Sequence, residues 1–125
     1  MVIGLGIDLV ELDRVREALD RWGHRFVAKL MDSQEADRLP ATGDDQRRAL
    51  ALAIAGKEAA SKALGTGWSQ GVRWRDVDVD LGPPARVTLR GVAARRAEQL
   101  GATPRVQLIL ELRGELALAE VRLLA

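Results

Sequence analysis

The chain has 125 residues, 47% of them hydrophobic, and 19 basic against 18 acidic side chains leave a net charge of +1. Such a length makes one domain with a real core, small enough to gain from oligomerisation, and the charge balance argues against disorder or a dominant nucleic-acid role. Cysteine is absent and His24 is the only histidine, which excludes disulfides, thiolate zinc, multi-imidazole sites and any Ser-His-Asp triad not built on His24.

Met1 to Leu9 is an apolar run punctuated by Gly4 and Gly6, predicted as a buried strand that another backbone approaches closely and that delivers Asp8 at its end. Gly4-Leu5-Gly6 lacks the third glycine of a dinucleotide fingerprint. Asp13 is the expected cap of a helix whose Val15, Ala18, Leu19 and Trp22 follow helical spacing, with Gly23 ending it and Arg14, Arg16 and Arg21 on its outer face. Asp32 followed by Glu35 reads as a capping-box-like start of a short helix stopped by Pro40. After a loop over 41–45, a long helix is predicted from about Gln46 to Leu64. Its stripe of Leu52, Ala55, Gly56, Ala59 and Ala63 is made of small residues, so it should lie close against a sheet.

From Val72 the period changes. Val72–Trp74, Val77–Val79 and Arg86–Arg90 read as strands, Pro83-Pro84 as a break, and Val92–Leu100 as a last helix. Val106, Leu108, Leu110 and Leu112 alternate with more polar positions, as in a half-buried strand. Gly114-Glu115 suits a type II′ turn, and the strand returning over Leu116–Leu123 would set Leu108 against Val121, Leu110 against Ala119 and Leu112 against Ala117. Helices first, then strands that close a sheet with the first strand, make an α+β domain over 1–125. No apolar run approaches the roughly 20 residues of a membrane span, and no signal-peptide pattern is visible, so the cytoplasm is the expected compartment.

The stretch Lys57-Glu58-Ala59-Ala60-Ser61-Lys62-Ala63-Leu64-Gly65-Thr66-Gly67 concentrates chemistry. Glu58 and Lys62 share one helical face with the acid on the N-terminal side, Ser61 lies one step round, and Gly65-Thr66-Gly67 stops the helix in a backbone-exposed loop. By itself this describes a solvated ion pair and a helix C-terminus, or else a place to hold a metal and phosphates. The chain uses sixteen arginines and three lysines, two of them Lys57 and Lys62, which points to a specific need for compact ammonium groups. A metal in such a chain takes oxygen ligands, which favours Mg²⁺. Arg47 and Arg48, near the start of the same helix, are further candidates for phosphate.

These motifs resemble the holo-acyl-carrier-protein synthase family, the small 4′-phosphopantetheinyl transferases. The opening Gly6-Ile7-Asp8-Leu9-Val10-Glu11-Leu12-Asp13-Arg14-Val15 is similar to the family's first motif, and Lys57–Gly67 to its second. Weaker echoes are Phe26 with Glu35, Trp74-Arg75-Asp76-Val77 and Ala117-Leu118-Ala119-Glu120-Val121. The resemblance implies the phosphopantetheinyl transferase fold, with helices on a mostly antiparallel sheet. It implies transfer of the phosphopantetheine arm from coenzyme A to a serine of an acyl carrier protein, with release of adenosine 3′,5′-bisphosphate. It also implies Asp8 and Glu58 as Mg²⁺ ligands, Glu58 as base, and Lys62 as the cation at the pyrophosphate. Lys57, Ser61, Gly65, Thr66 and Gly67 would line the phosphates, Arg14 and Arg21 would face the acidic carrier, and the enzyme would be a homotrimer with sites between subunits.

Two departures stand out. The family often carries Ser-x-Ser-His-Thr where Ile109-Leu110-Glu111-Leu112-Arg113 stands, and an Arg and an aromatic where Ala53 and Ile54 stand. Leu112 is expected to pack against Ala117, so a weaker hold on the 3′-phosphate side of coenzyme A is expected, partly offset by Arg47, Arg48 or Arg113. The alternative to an active transferase is a weak or inactive homologue that binds carrier or coenzyme A as a pathway accessory. Retention of Asp8, Glu58 and Lys62 favours the transferase.

Overall fold

Residues 1–125 are described by a computed structural model. Strand β1 (Val2–Glu11) leads into helices α1 (Leu12–Trp22), α2 (His24–Leu30), α3 (Ser33–Asp37) and the long α4 (Gly43–Ala63). A 3-10 turn at Trp74–Asp76 precedes β2 (Val77–Asp80) and β3 (Arg86–Leu89), and then come α5 (Gly91–Gln99), β4 (Val106–Arg113) and β5 (Leu116–Leu124). The strands form an antiparallel sheet of order β1-β5-β4 and a separate antiparallel pair, β2-β3. The expected α+β arrangement, with the first strand closed by the last hairpin, is what forms.

Helix α4 is the axis of the molecule. Its first turn carries Asp44 and Asp45, which complement the partial positive charge of a helix N-terminus. It is buried on nearly every side because the three-stranded sheet covers one flank and β2 another. Two glycines of β1 permit the closest approach. A Cβ on Gly6 would stand 1.8 Å from the Ala59 carbonyl oxygen, and one on Gly4 2.5 Å from that of Ala63. Backbone therefore rests on backbone, and Asp8, two residues beyond Gly6 on the same face, is brought against the helix.

The hairpin has the register expected, Leu108 with Val121, Leu110 with Ala119 and Leu112 with Ala117. Gly114 takes φ +58° in its turn. Leu112 is not packed as expected, since it is 41% exposed at the free end of the edge strand. Other expectations shift. Helix α1 begins at Leu12, so Asp13 lies in its first turn and caps nothing. α4 starts at Gly43, within the stretch read as a loop. Trp74 opens a 3-10 turn in place of a strand, and α2 has no counterpart in the sequence reading. At α3, Asp32 does cap, accepting from Glu35 N at 2.9 Å, but the Glu35 carboxylate turns inward to a buried partner. No helix is long and apolar enough to cross a membrane.

Candidate active site

The contact between β1 and α4 sets three charged groups together. Lys62 Nζ donates to Asp8 Oδ1 at 2.8 Å and to the Ile7 carbonyl at 3.2 Å. Glu58, one turn earlier on the same face of α4, is half-buried, and its Oε2 accepts from Trp68 Nε1 at 3.2 Å. Burial pushes the Glu58 carboxyl above the ordinary glutamate value, and the negative charge of Asp8 pushes the same way. The Trp68 hydrogen bond and the Lys62 charge oppose the rise. Lys62 is held above the usual lysine range, chiefly by its hydrogen bond to Asp8. Asp8 and Glu58 thus repel each other across a shared space, and one ammonium compensates only part of their charge.

That donor set fits a small hard cation. Two carboxylates would leave the remaining positions of an octahedral shell to phosphate oxygens and water, the usual arrangement for Mg²⁺. Burial first and the Asp8 charge second make the ionised Glu58 carboxylate costly, and a bound cation would offset both. No cluster of three or more His, Cys, Asp or Glu side chains that could hold a metal ion occurs in the chain.

Other residues expected in the site are elsewhere or already committed. Lys57 is fully buried on another side of α4, bonded to Glu35 Oε1 at 2.8 Å, to the Trp74 carbonyl at 3.1 Å and to the Val77 carbonyl. Fully buried and bonded within the fold, it serves here as a framework group. Ser61 is also buried, and its hydroxyl donates to the Glu58 carbonyl at 2.7 Å. Thr66 is buried too, and its hydroxyl is spent on the Gly67 carbonyl at 2.9 Å.

The glycine loop closes the helix, and its three backbone N–H groups bond back to it. Gly65 N bonds to the Lys62 carbonyl, and Thr66 N and Gly67 N both bond to that of Ser61. Gly65 and Gly67 take φ +75° and +54°, as a helix C-terminus requires. Arg47 and Arg48 pair with Asp44 and Asp45. They lie eleven and ten residues before Glu58, about 16 and 15 Å along the axis, so one chain does not bring them to the Asp8–Glu58 centre. Arg14 and Arg21 stand exposed on α1, the latter over the Trp22 ring at 5.5 Å.

Sequence reasoning missed Trp68 and its stack on Trp74, the ring centroids 4.0 Å apart. A signal was available, because three tryptophans are conspicuous in a chain with 3% aromatics. It also missed a groove of about 550 Å³ between α1 and α2, floored by Trp22, Phe26 and Trp74 and rimmed by Arg25 and Lys29.

The model of the 4′-phosphopantetheinyl transferase superfamily matches residues 4–119. The chain belongs to that family. Among curated phosphopantetheinyl transferases, the holo-(acyl-carrier-protein) synthase of Solidesulfovibrio magneticus is 47% identical over 106 residues, which span 82% of this chain and 83% of the relative. The crystal structure of the holo-(acyl-carrier-protein) synthase of Neisseria meningitidis superposes with a TM-score of 0.84 at 28% identity, covering 100% of both chains. That of Bacillus anthracis, in complex with coenzyme A (3′,5′-ADP), gives 0.75 at 29% identity over 98% of this chain and 96% of its own. Against this family background the altered strand is an edge with Ile109 and Leu112 exposed, and Arg113 is tied to Glu111 at 2.9 Å.

Proposed function

We propose that this phosphopantetheinyl transferase moves the 4′-phosphopantetheine arm of coenzyme A onto a serine of an apo acyl carrier protein. The observation that carries the reading is the Asp8–Lys62–Glu58 cluster at the crossing of β1 and α4. The serine oxygen forms the new bond to the phosphorus that bears pantetheine. The bond from that phosphorus to the bridging oxygen breaks, and adenosine 3′,5′-bisphosphate leaves with the electron pair.

Glu58 suits the part of base. It is half-buried, burial raises its carboxyl above the ordinary glutamate value, and Oε1 makes no hydrogen bond within the chain. Lys62, fixed by Asp8 and the Ile7 carbonyl, presents an ammonium to the pyrophosphate and to the charge that grows on the leaving oxygen. Mg²⁺ held by Asp8 and Glu58 would neutralise pyrophosphate charge when bound.

Two surfaces support the expected partners. The groove beside α1 offers apolar floor and cationic rim, with Arg14 and Arg21 nearby, to an acidic carrier. The outer face of the main sheet exposes Leu5, Ile7 and Leu9 of β1, and Ile7 and Ile109 lie in one cross-strand row through Glu120. An apolar sheet face of this kind suits assembly with further copies, and the proposed state is a homotrimer with sites between subunits. The test is to incubate the protein with coenzyme A, Mg²⁺ and an apo-carrier. The carrier should gain the mass of the arm while adenosine 3′,5′-bisphosphate appears, and an unmodified carrier would refute the reading.

A further inference from the structure

Glu58 has one hydrogen-bond partner for its carboxylate in the whole chain, and that partner is an indole. Trp68 lies beyond the end of α4, in the segment that returns toward β2. Its Nε1–H meets Glu58 Oε2 at 3.2 Å, while its ring lies on Trp74 with an interplanar angle of 20°. Trp74 is anchored in turn. Its carbonyl accepts from Lys57 Nζ at 3.1 Å, Lys57 is paired with Glu35 at 2.8 Å, and Glu35 Oε2 accepts from Val79 N at 3.0 Å. A connected path therefore runs from a buried ion pair, through two stacked rings, to the Glu58 carboxylate.

We infer that Trp68 is a positioning residue for Glu58, its indole N–H holding Oε2 so that Oε1 is the oxygen presented to the carrier serine. This rests on the reading of Glu58 as the base. A carboxylate on a flexible glutamate side chain samples many orientations, and a fixed donor on one oxygen removes that freedom before substrate arrives. Indole suits the task because it donates only, so it cannot compete for the serine proton. Lys57 acts at one remove, by fixing the backbone carbonyl of Trp74, the residue on whose ring Trp68 is stacked. A phenylalanine at 68 would keep the apolar cover and the stack. If the residue were only cover, that change would be silent.

The experiment has a spectroscopic arm and a kinetic arm. In ¹H–¹⁵N spectra of the wild type, the indole resonances of Trp22, Trp68 and Trp74 can be assigned with single Trp→Phe variants. The Trp68 N–H is expected to exchange slowly with solvent and to lose that protection in Glu58→Ala, while the Trp22 resonance does not change. In the transfer assay, Trp68→Phe should lower kcat roughly tenfold or more, the scale of a hydrogen bond to a charged group. KM for coenzyme A should change by less than about twofold, since binding contacts are untouched. Trp68→His, which retains a ring N–H, should recover part of the lost kcat.

A Trp68 N–H indifferent to Glu58→Ala would overturn the inference even if Trp68→Phe failed to fold. An active wild type with an equally active Trp68→Phe would overturn it as well. A wild type that transfers nothing would instead remove the functional reading on which this role depends.

Discussion

Lys57→Met should cost this protein a large part of its stability. Lys57 is 0% exposed and Glu35 3%. Without the ammonium, Glu35 Oε1 and the Trp74 and Val77 carbonyls all lose their donor. Removing one member of a buried ion pair costs about 3–5 kcal/mol, because the other charge stays behind without a partner. At about 2.1 cal/mol/K per residue, unfolding entropy for this length is roughly 0.26 kcal/mol/K, so Tm should fall by roughly 10–20 °C. Differential scanning calorimetry reads this directly.

The loss should also depend on pH. Burial raises the Glu35 carboxyl, and Lys57 is the main influence that opposes the rise. In Lys57→Met the folded-state value moves further above the unfolded one, so stability is retained at low pH and lost as pH rises through the raised value. The deficit should therefore be larger at about pH 8 than at about pH 5. Glu35→Leu with Lys57→Met should recover most of the loss, because both charges are gone. A Lys57→Met protein melting within about 3 °C of the wild type, with a raised KM for coenzyme A, would refute this account and restore Lys57 as a phosphate ligand.

Three further outcomes follow from the same geometry. Gly6→Ala places a Cβ 1.8 Å from the Ala59 carbonyl. It should force α4 off β1, lowering Tm and transfer activity together, whereas an unchanged melt would contradict the close contact. Glu58→Gln should cut transfer by the same roughly 10²–10³ expected for loss of the Glu58 charge, yet raise Tm in EDTA. The raised Glu58 carboxyl contributes stability that is present below its unfolded value of 4.5 and lost as pH climbs through the folded one. The advantage of Glu58→Gln should therefore grow toward about pH 7, and an advantage that shrinks would reverse the sign. By light scattering the wild type should weigh three times the 13.6 kDa of one chain, and Ile7→Glu should dissociate it. A trimer indifferent to that charge would move the interface off the sheet.

What could be read in the sequence follows from how local each signal is. The β4–β5 register was legible because alternating residues and a Gly-Glu turn specify pairing within a few residues. The fit of α4 onto β1 was legible as glycines on one element and small residues on the other. Helix α2 was not, because seven residues without a side-chain cap give little periodicity to detect. Asp8, Glu58 and Lys62 came together as the motifs implied.

Lys57 was misread for a physical reason. A sequence shows it beside Glu58, but one step of a helix turns about 100°, which aims Lys57 at Glu35 and β2 and leaves Glu58 toward Asp8. Its partner is 22 residues away, and no local pattern announces it. The glycine loop was ambiguous in the sequence between phosphate cradle and helix end. The backbone bonds to Lys62 and Ser61 make it a helix end in this structure.

The central claim is that Asp8 and Glu58 form the transferring centre, and a rate comparison tests it most directly. Transfer of the arm to an apo-carrier is measured by mass spectrometry for the wild type, Asp8→Ala and Glu58→Ala, each with Mg²⁺ and with EDTA. The wild type should be active with Mg²⁺ and silent in EDTA, and each variant should lose roughly 10²–10³ in rate, as removal of a main charge-stabilising group does. Full transfer by Glu58→Ala, or by the wild type in EDTA, would contradict the account.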